Sequence, residues 1–153
     1  MTKVYLSGKM TGLSKEEMNG WREKLQFLIE SKAKYRMYDK VHVINPVDYY
    51  NTQDEDYKDE KEYIRWEFRS VKTSDVVIVG WNKEQDSLGT MAELTYAYAH
   101  NIPVILYFYD TDSDNGYEMI SNLHPYIWYI SNRHFFNDEI ESLAEFVLKY
   151  YCI

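Results

Sequence analysis

The stretch DSLGTMAELTYAYAHNIPVI, from Asp86 to Ile105, sets two carboxylates, Asp86 and Glu93, around Ser87, Gly89 and Thr90. A carboxylate beside a helix start can serve as nucleophile, because unpaired amides and the positive end of the helix dipole favour its ionised form. The same spacing has a structural use. Glu93 follows Thr90 by three residues, as in a capping box, where the Thr hydroxyl accepts from an amide and the Glu reaches back. Periodicity does not separate capping from catalysis. A second stretch, YLSGKMTG at 5–12, ends an apolar run with a small, polar turn. Gly8 and Gly12 permit close backbone approach and a sharp turn, and Lys9 and Thr11 offer donors to an anion. It is not a Walker loop, since GKMTG lacks the required spacing and the following helix start. Taken alone, it reads better as a plain strand-to-helix turn with one exposed lysine.

Five apolar runs would have to position these residues: KVYLSG (3–8), VHVINP (41–46), DVVIVGW (75–81), IPVILYFY (102–109) and YIWYIS (126–131). The unbroken apolarity of the third and fourth suggests strands buried on both faces, hence a parallel sheet with helices on either side. Between the runs, Ser14 to about Ala33 opens with Ser14 and Glu17 at capping-box spacing and carries Met18, Trp21, Leu25, Leu28 and Ile29 at helical spacing. Residues 59–73 form a weaker amphipathic pattern with Tyr63, Trp66 and Val71, and further helices are predicted over Thr90–His100 and about Asn137–Tyr150. Strictly alternating strands and helices predict an α/β fold, a doubly wound five-stranded parallel sheet of flavodoxin-like type with right-handed crossovers. The C-terminal strand ends open on one edge of such a sheet, which brings residues 5–12 and 81–93 together. The polar loops 48–60 and 110–116 are long for this class and are candidate lids.

With 153 residues and no linker or repeat, a single domain over 1–153 is expected. The balance of 25 acidic against 17 basic residues, net −8, disfavours a nucleic-acid polymer or an anionic membrane as partner and favours a small substrate. A single cysteine, Cys152, no secretory leader and no run of ~18 apolar residues point to a soluble cytoplasmic protein. The histidines at 42, 100, 124 and 134 have no metal-ligand spacing. Sixteen Tyr and four Trp suit pockets and interfaces, although most would only fill core and surface.

Three blocks taken together, VYLSG, TSDVVIVGW and DSLGTMAELTYAYAHNIPVI, resemble the nucleoside 2-deoxyribosyltransferase family and its nucleotide N-glycosidase relatives, over roughly residues 3–109. The resemblance implies Glu93 as nucleophile, Asp86 as a contact to the nucleobase and Tyr5 as the hydrogen-bond donor to the nucleophile. Glu67 falls where the family has a second aspartate, eight residues before the Asp75 that opens the third strand, and Leu88 is an extra residue between Ser87 and Gly89. The implied substrate-binding set is Gly8, Lys9, Met10, Thr11, Trp81, Ser87 and Gly89. Asn122, in ISNLH, would enter the neighbour's site in a homo-oligomer. The implied chemistry is cleavage or transfer at an N-glycosidic bond, with no metal or redox cofactor, and Lys9, Thr11 and Ser87 favour a 5′-nucleotide. Glu67 in place of aspartate also suits a catalytically inactive nucleotide-binding module. A Glu93 that only caps a helix in an interaction protein is the third reading.

Overall fold

The computed structural model describes residues 1–38, 40–49, 60–83 and 87–152. Asp86 and most of the 48–60 loop lie outside the described residues. Five strands, β1 (Thr2–Gly8), β2 (Val41–Ile44), β3 (Val76–Trp81), β4 (Val104–Phe108) and β5 (Arg133–Phe136), pair in parallel in the order β2-β1-β3-β4-β5. This is the flavodoxin-like order. Every residue of β3 and β4 is buried, as their unbroken apolar runs require in the middle of a covered sheet.

Among the described residues, six helices cover the sheet: α1 (Lys15–Tyr35), α2 (Glu60–Lys72), α3 (Leu88–Ala99), α4 (Gly116–Ser121), α5 (Pro125–Ile130) and α6 (Ile140–Tyr151). Successive strand residues face opposite ways. Val4, Leu6, Ile78 and Ile105 therefore pack under α1 and α6 with Leu25, Ile29, Leu143 and Val147. Tyr5, Val77, Val79 and Leu106 pack on the other face with Val71 of α2 and Leu94 and Ala97 of α3. Each fully buried Leu or Ile contributes about 1.5–3 kcal/mol relative to exposure.

The start of α1 follows the predicted pattern. Ser14 Oγ accepts from Glu17 N at 3.2 Å, and Trp21, Leu25, Ile29 and Ala33 recur every fourth residue on the buried side. Among the described residues, no helix is long and apolar enough to cross a membrane.

The fifth strand differs from the expectation. YIWYIS is not a strand; Pro125–Ile130 is helix α5, and the strand is Arg133–Phe136. Pro125 presets the helical φ at the first position, His124 Nδ1 accepts from Tyr126 N at 3.2 Å, and only Ile127 of the six is buried. Strand pairing begins beyond the helix. Asn132 clasps β4 twice, accepting from Val104 N and donating its own N–H to Val104 O, each at 2.8 Å. Two short helices thus stand between β4 and β5 where one was predicted. None of residues 110–116 lines the cleft described below. This loop forms a 3-10 turn at Ser113–Asn115, where Ser113 N donates to Asp138 Oδ1 at 2.8 Å and Ser113 Oγ to Asp138 Oδ2.

Candidate active site

The strand order reverses at β1, whose connections lead to β2 on one side and, through β2 and α2, to β3 on the other. A ligand crevice is expected outside the C-terminal ends of the strands at such a point. A cleft of about 590 Å³ lies there. Its walls are the β1–α1 loop with Gly8, Lys9, Met10 and Thr11, the α2 face with Tyr63, Ile64 and Glu67, and the α3 start with Ser87, Gly89, Thr90 and Glu93.

Ser87, not Thr90, caps α3. Its Oγ accepts from Thr90 N at 3.2 Å and from Thr90 Oγ1 at 3.0 Å. The helix begins at Leu88, which puts Glu93 in its second turn, beyond the reach of a capping box. Glu93 is therefore not a cap. It is 7 % exposed on the sheet side of the helix, over Tyr5 and Ser7 of β1.

Burial raises the Glu93 carboxyl well above the usual carboxylate range, and the neighbouring charge of Glu67 adds to this; Tyr5, Arg22 and Ser7 oppose it. The expected lowering by the helix start is overridden, because the dipole acts mainly within the first turn and desolvation is the larger effect here. Glu67 is likewise raised by burial, against the pull of Tyr63 and Arg22. Two carboxyls in one low-dielectric cleft do not ionise independently: they lose their protons as a pair. Burial and the charges of Glu93 and Glu67 raise Tyr5, so its hydroxyl stays a phenol and a donor. Tyr5 Oη, Ser7 Oγ, Glu93 Oε2 and Arg22 Nε are buried without a hydrogen bond of normal geometry. Such groups lower stability, by about 1–3 kcal/mol each, and a cluster of them beside two carboxyls calls for a functional explanation.

Of the residues named from the sequence, Glu93, Glu67, Gly8, Lys9, Met10, Thr11, Ser87 and Gly89 meet around this cleft, and Tyr5 lies buried under it. Trp81 does not line it; the indole packs in the core with Tyr5, Leu94 and Phe108. Asn122 caps the C-terminus of α4, exposed and away from the cleft lining. Arg22 is the residue that sequence reasoning passed over. It stands four residues after Met18 and three before Leu25, a charged side chain on the buried stripe of α1, and that misplacement was the available signal.

A family model described as "Nucleoside 2-deoxyribosyltransferase like" matches residues 1–111. No curated protein matches the chain at a significant level. Among solved structures, a conserved protein from Enterococcus faecalis V583 superposes with TM-score 0.68 at 19% identity, covering 97% of this chain and 98% of that one. A 2-deoxyribosyltransferase from Bacillus psychrosaccharolyticus gives TM-score 0.64 at 16% identity, with 92% and 90% covered. A CMP N-glycosidase from Clostridium botulinum gives 0.58 at 17%, with 97% and 100% covered. At these identities the likeness is one of fold.

Proposed function

Because the chain belongs to the nucleoside 2-deoxyribosyltransferase-like family, we propose that it cleaves or transfers at the N-glycosidic bond of a (deoxy)nucleoside or nucleoside 5′-monophosphate, with Glu93 as nucleophile. The observation that carries this reading is the Glu67–Glu93 pair in one cleft, with Tyr5 beneath it. A Glu93 carboxylate oxygen attacks C1′ of the sugar and forms a C–O bond as the C1′–N bond breaks. The bonding electrons leave with the base, which takes a proton from Glu67. Tyr5 donates to the carboxylate while it is charged. Water or a second base then attacks C1′, gives its proton to Glu67, and releases Glu93 as a carboxylate. Glu67, one methylene longer than aspartate, lines the cleft from α2, which supports this role for it. Asp86 remains the candidate contact to the base.

Lys9, Ser87 and the amides at the start of α3 form the candidate seat for a 5′-phosphate. Incubation with a panel of nucleosides and 5′-nucleotides, with and without a second free base, tests the reading by release or exchange of base. Lys9→Ala is expected to reduce nucleotide turnover roughly 10- to 100-fold and to leave nucleoside turnover within about two-fold, since only the nucleotide presents the anion. Equal losses on both substrates would remove the phosphate seat. No base from any substrate, with nucleotide binding retained, would leave the inactive binding module.

Asn122 is assigned, on the same reading, to the neighbouring subunit's cleft in a homo-oligomer. The short helices flanking it carry exposed Tyr117, Tyr126 and Tyr129, the side-chain type that interfaces enrich. Mixing Glu93→Gln with Asn122→Ala subunits is expected to restore activity, because one mixed site then holds both native residues. A monomeric mass at assay concentration, with full turnover, would overturn this assignment.

A further inference from the structure

Arg22 is fully buried, among the largest side chains to be so. A guanidinium removed from water is costly unless charges or dipoles replace its hydration. Two carbonyls replace part of it: Nη2 donates to Gly8 O at 2.8 Å, and Nη1 donates to Met18 O. Nε has no partner, and none of the ion pairs among the described residues involves Arg22. The geometry is tight on the strand side as well, since a Cβ added at Gly8 would come within 3.0 Å of Arg22 Nη2. Gly8 begins the loop that forms one wall of the cleft.

The charge sits at the meeting point of several elements. Facing it are Glu93 from α3, the strongest partner, then Tyr5 from β1, Tyr109 after β4 and Tyr63 from α2. Glu67 of α2 also responds to it. Burial lowers the guanidinium only to about 10, so it remains protonated at neutral pH. Of the side chains around it, Glu93 and Glu67 are the carboxyls that its charge reaches.

We propose that Arg22 is a positioning residue of the cleft: it anchors the β1–α1 loop through the Gly8 carbonyl and, from its buried place beneath the floor, supplies a fixed positive charge to the Glu67–Glu93 pair. The catalytic consequence rests on Glu93 being the working carboxylate; the electrostatic one does not. Two separable effects follow. Loss of the charge acts through Glu93 on kcat and its pH dependence, whereas loss of the Nη2 bond to Gly8 O loosens the loop and acts on KM.

The test is a carboxyl ¹³C NMR titration of protein labelled at glutamate, for wild type, Arg22→Met, Arg22→Gln and Arg22→Lys. In Arg22→Met and Arg22→Gln the midpoints of the pair are expected to rise by about one pH unit or more, roughly a tenfold smaller ionised fraction at a given pH on the lower limb. Arg22→Lys keeps the charge and is expected to titrate close to wild type, with a raised KM from the lost bond to Gly8 O. A folded Arg22→Met or Arg22→Gln that titrates like wild type would overturn the proposal. So would an Arg22→Lys pair displaced upward by a unit, which decides the matter even where the uncharged variants do not fold. Because the titration needs no substrate, it stands or falls separately from base release by the wild-type protein. Where base release is measurable, the acid limb of kcat moves up with the titration in Arg22→Gln and returns in Arg22→Lys.

Discussion

Glu93→Gln is expected to lower base release by roughly 10³-fold or more while the protein stays folded. The change removes one ionisable oxygen and keeps side-chain size. It does not disturb the start of α3, because Ser87 accepts the capping hydrogen bond from Thr90 N. Stability should respond in the opposite direction to activity at high pH. The folded carboxyl is raised above its ordinary value of 4.5, so between that value and the raised one the folded state binds more protons than the unfolded state. The stabilisation this provides is fully present below 4.5 and is lost as pH rises through the folded value. Wild type is therefore expected to melt at progressively lower temperature as pH rises through and beyond neutrality, and Glu93→Gln to show a shallower decline. Base-release assays with thermal melts followed by circular dichroism at pH 5.5 and 8.5 check both parts. Wild-type turnover in the variant would sink the nucleophile assignment, and parallel melting profiles would sink the account of its buried charge.

The part of this architecture that is legible in the sequence is the part decided by burial. β3 and β4 announce themselves because a strand covered on both faces admits almost no polar residue. The edge strand β5 does not. Arg133–Phe136 is short and opens with a charged residue and a histidine, while the aromatic run just before it, YIWYIS, has strand propensity but is turned into a helix by Pro125 and its His124 cap. Propensity alone points to the wrong segment.

The site divides in the same way. The loop at Gly8–Thr11 and the start of α3 could be placed from strand ends and turn residues, and Glu67 from the family pattern. Three facts needed the folded chain. The helix starts at Leu88, which takes Glu93 out of the capping role its distance from Thr90 allows. Trp81 ends β3 facing the core, because alternation in a covered strand sends it to the side of Tyr5 and Leu94. Arg22 on an apolar stripe could have been read as a solvated head on a buried stem, as long basic side chains often are, and only its zero exposure and its bond to Gly8 O exclude that.

Gly80→Ala is expected to destabilise the protein by about 1–3 kcal/mol and to impair the cleft from a residue that does not line it. Gly80 of β3 is the register partner of Gly8 of β1, and the Trp21 indole lies across this glycine pair. A Cβ at Gly80 would stand 2.3 Å from Trp21 Cζ2 and 2.6 Å from Cε2, far inside contact distance. The ring has little room to retreat. It stacks on Tyr109 with centroids 5.7 Å apart and planes 6° from parallel, and meets Tyr107 at 5.9 Å. Displacing Trp21 moves the backbone that carries Arg22, and with it the 2.8 Å bond to Gly8 O that holds the loop. Loss of base release should accordingly exceed what the fraction unfolded accounts for. Trp21→Phe removes the far end of the indole, where the clash occurs, but alone it leaves a cavity. In the double variant the added methyl occupies part of that space. Denaturant melts of the two single variants and the double are expected to give a coupling of more than about 0.5 kcal/mol in favour of the double. Additive losses would mean that Gly80 is required for its backbone freedom rather than for the space it leaves to Trp21.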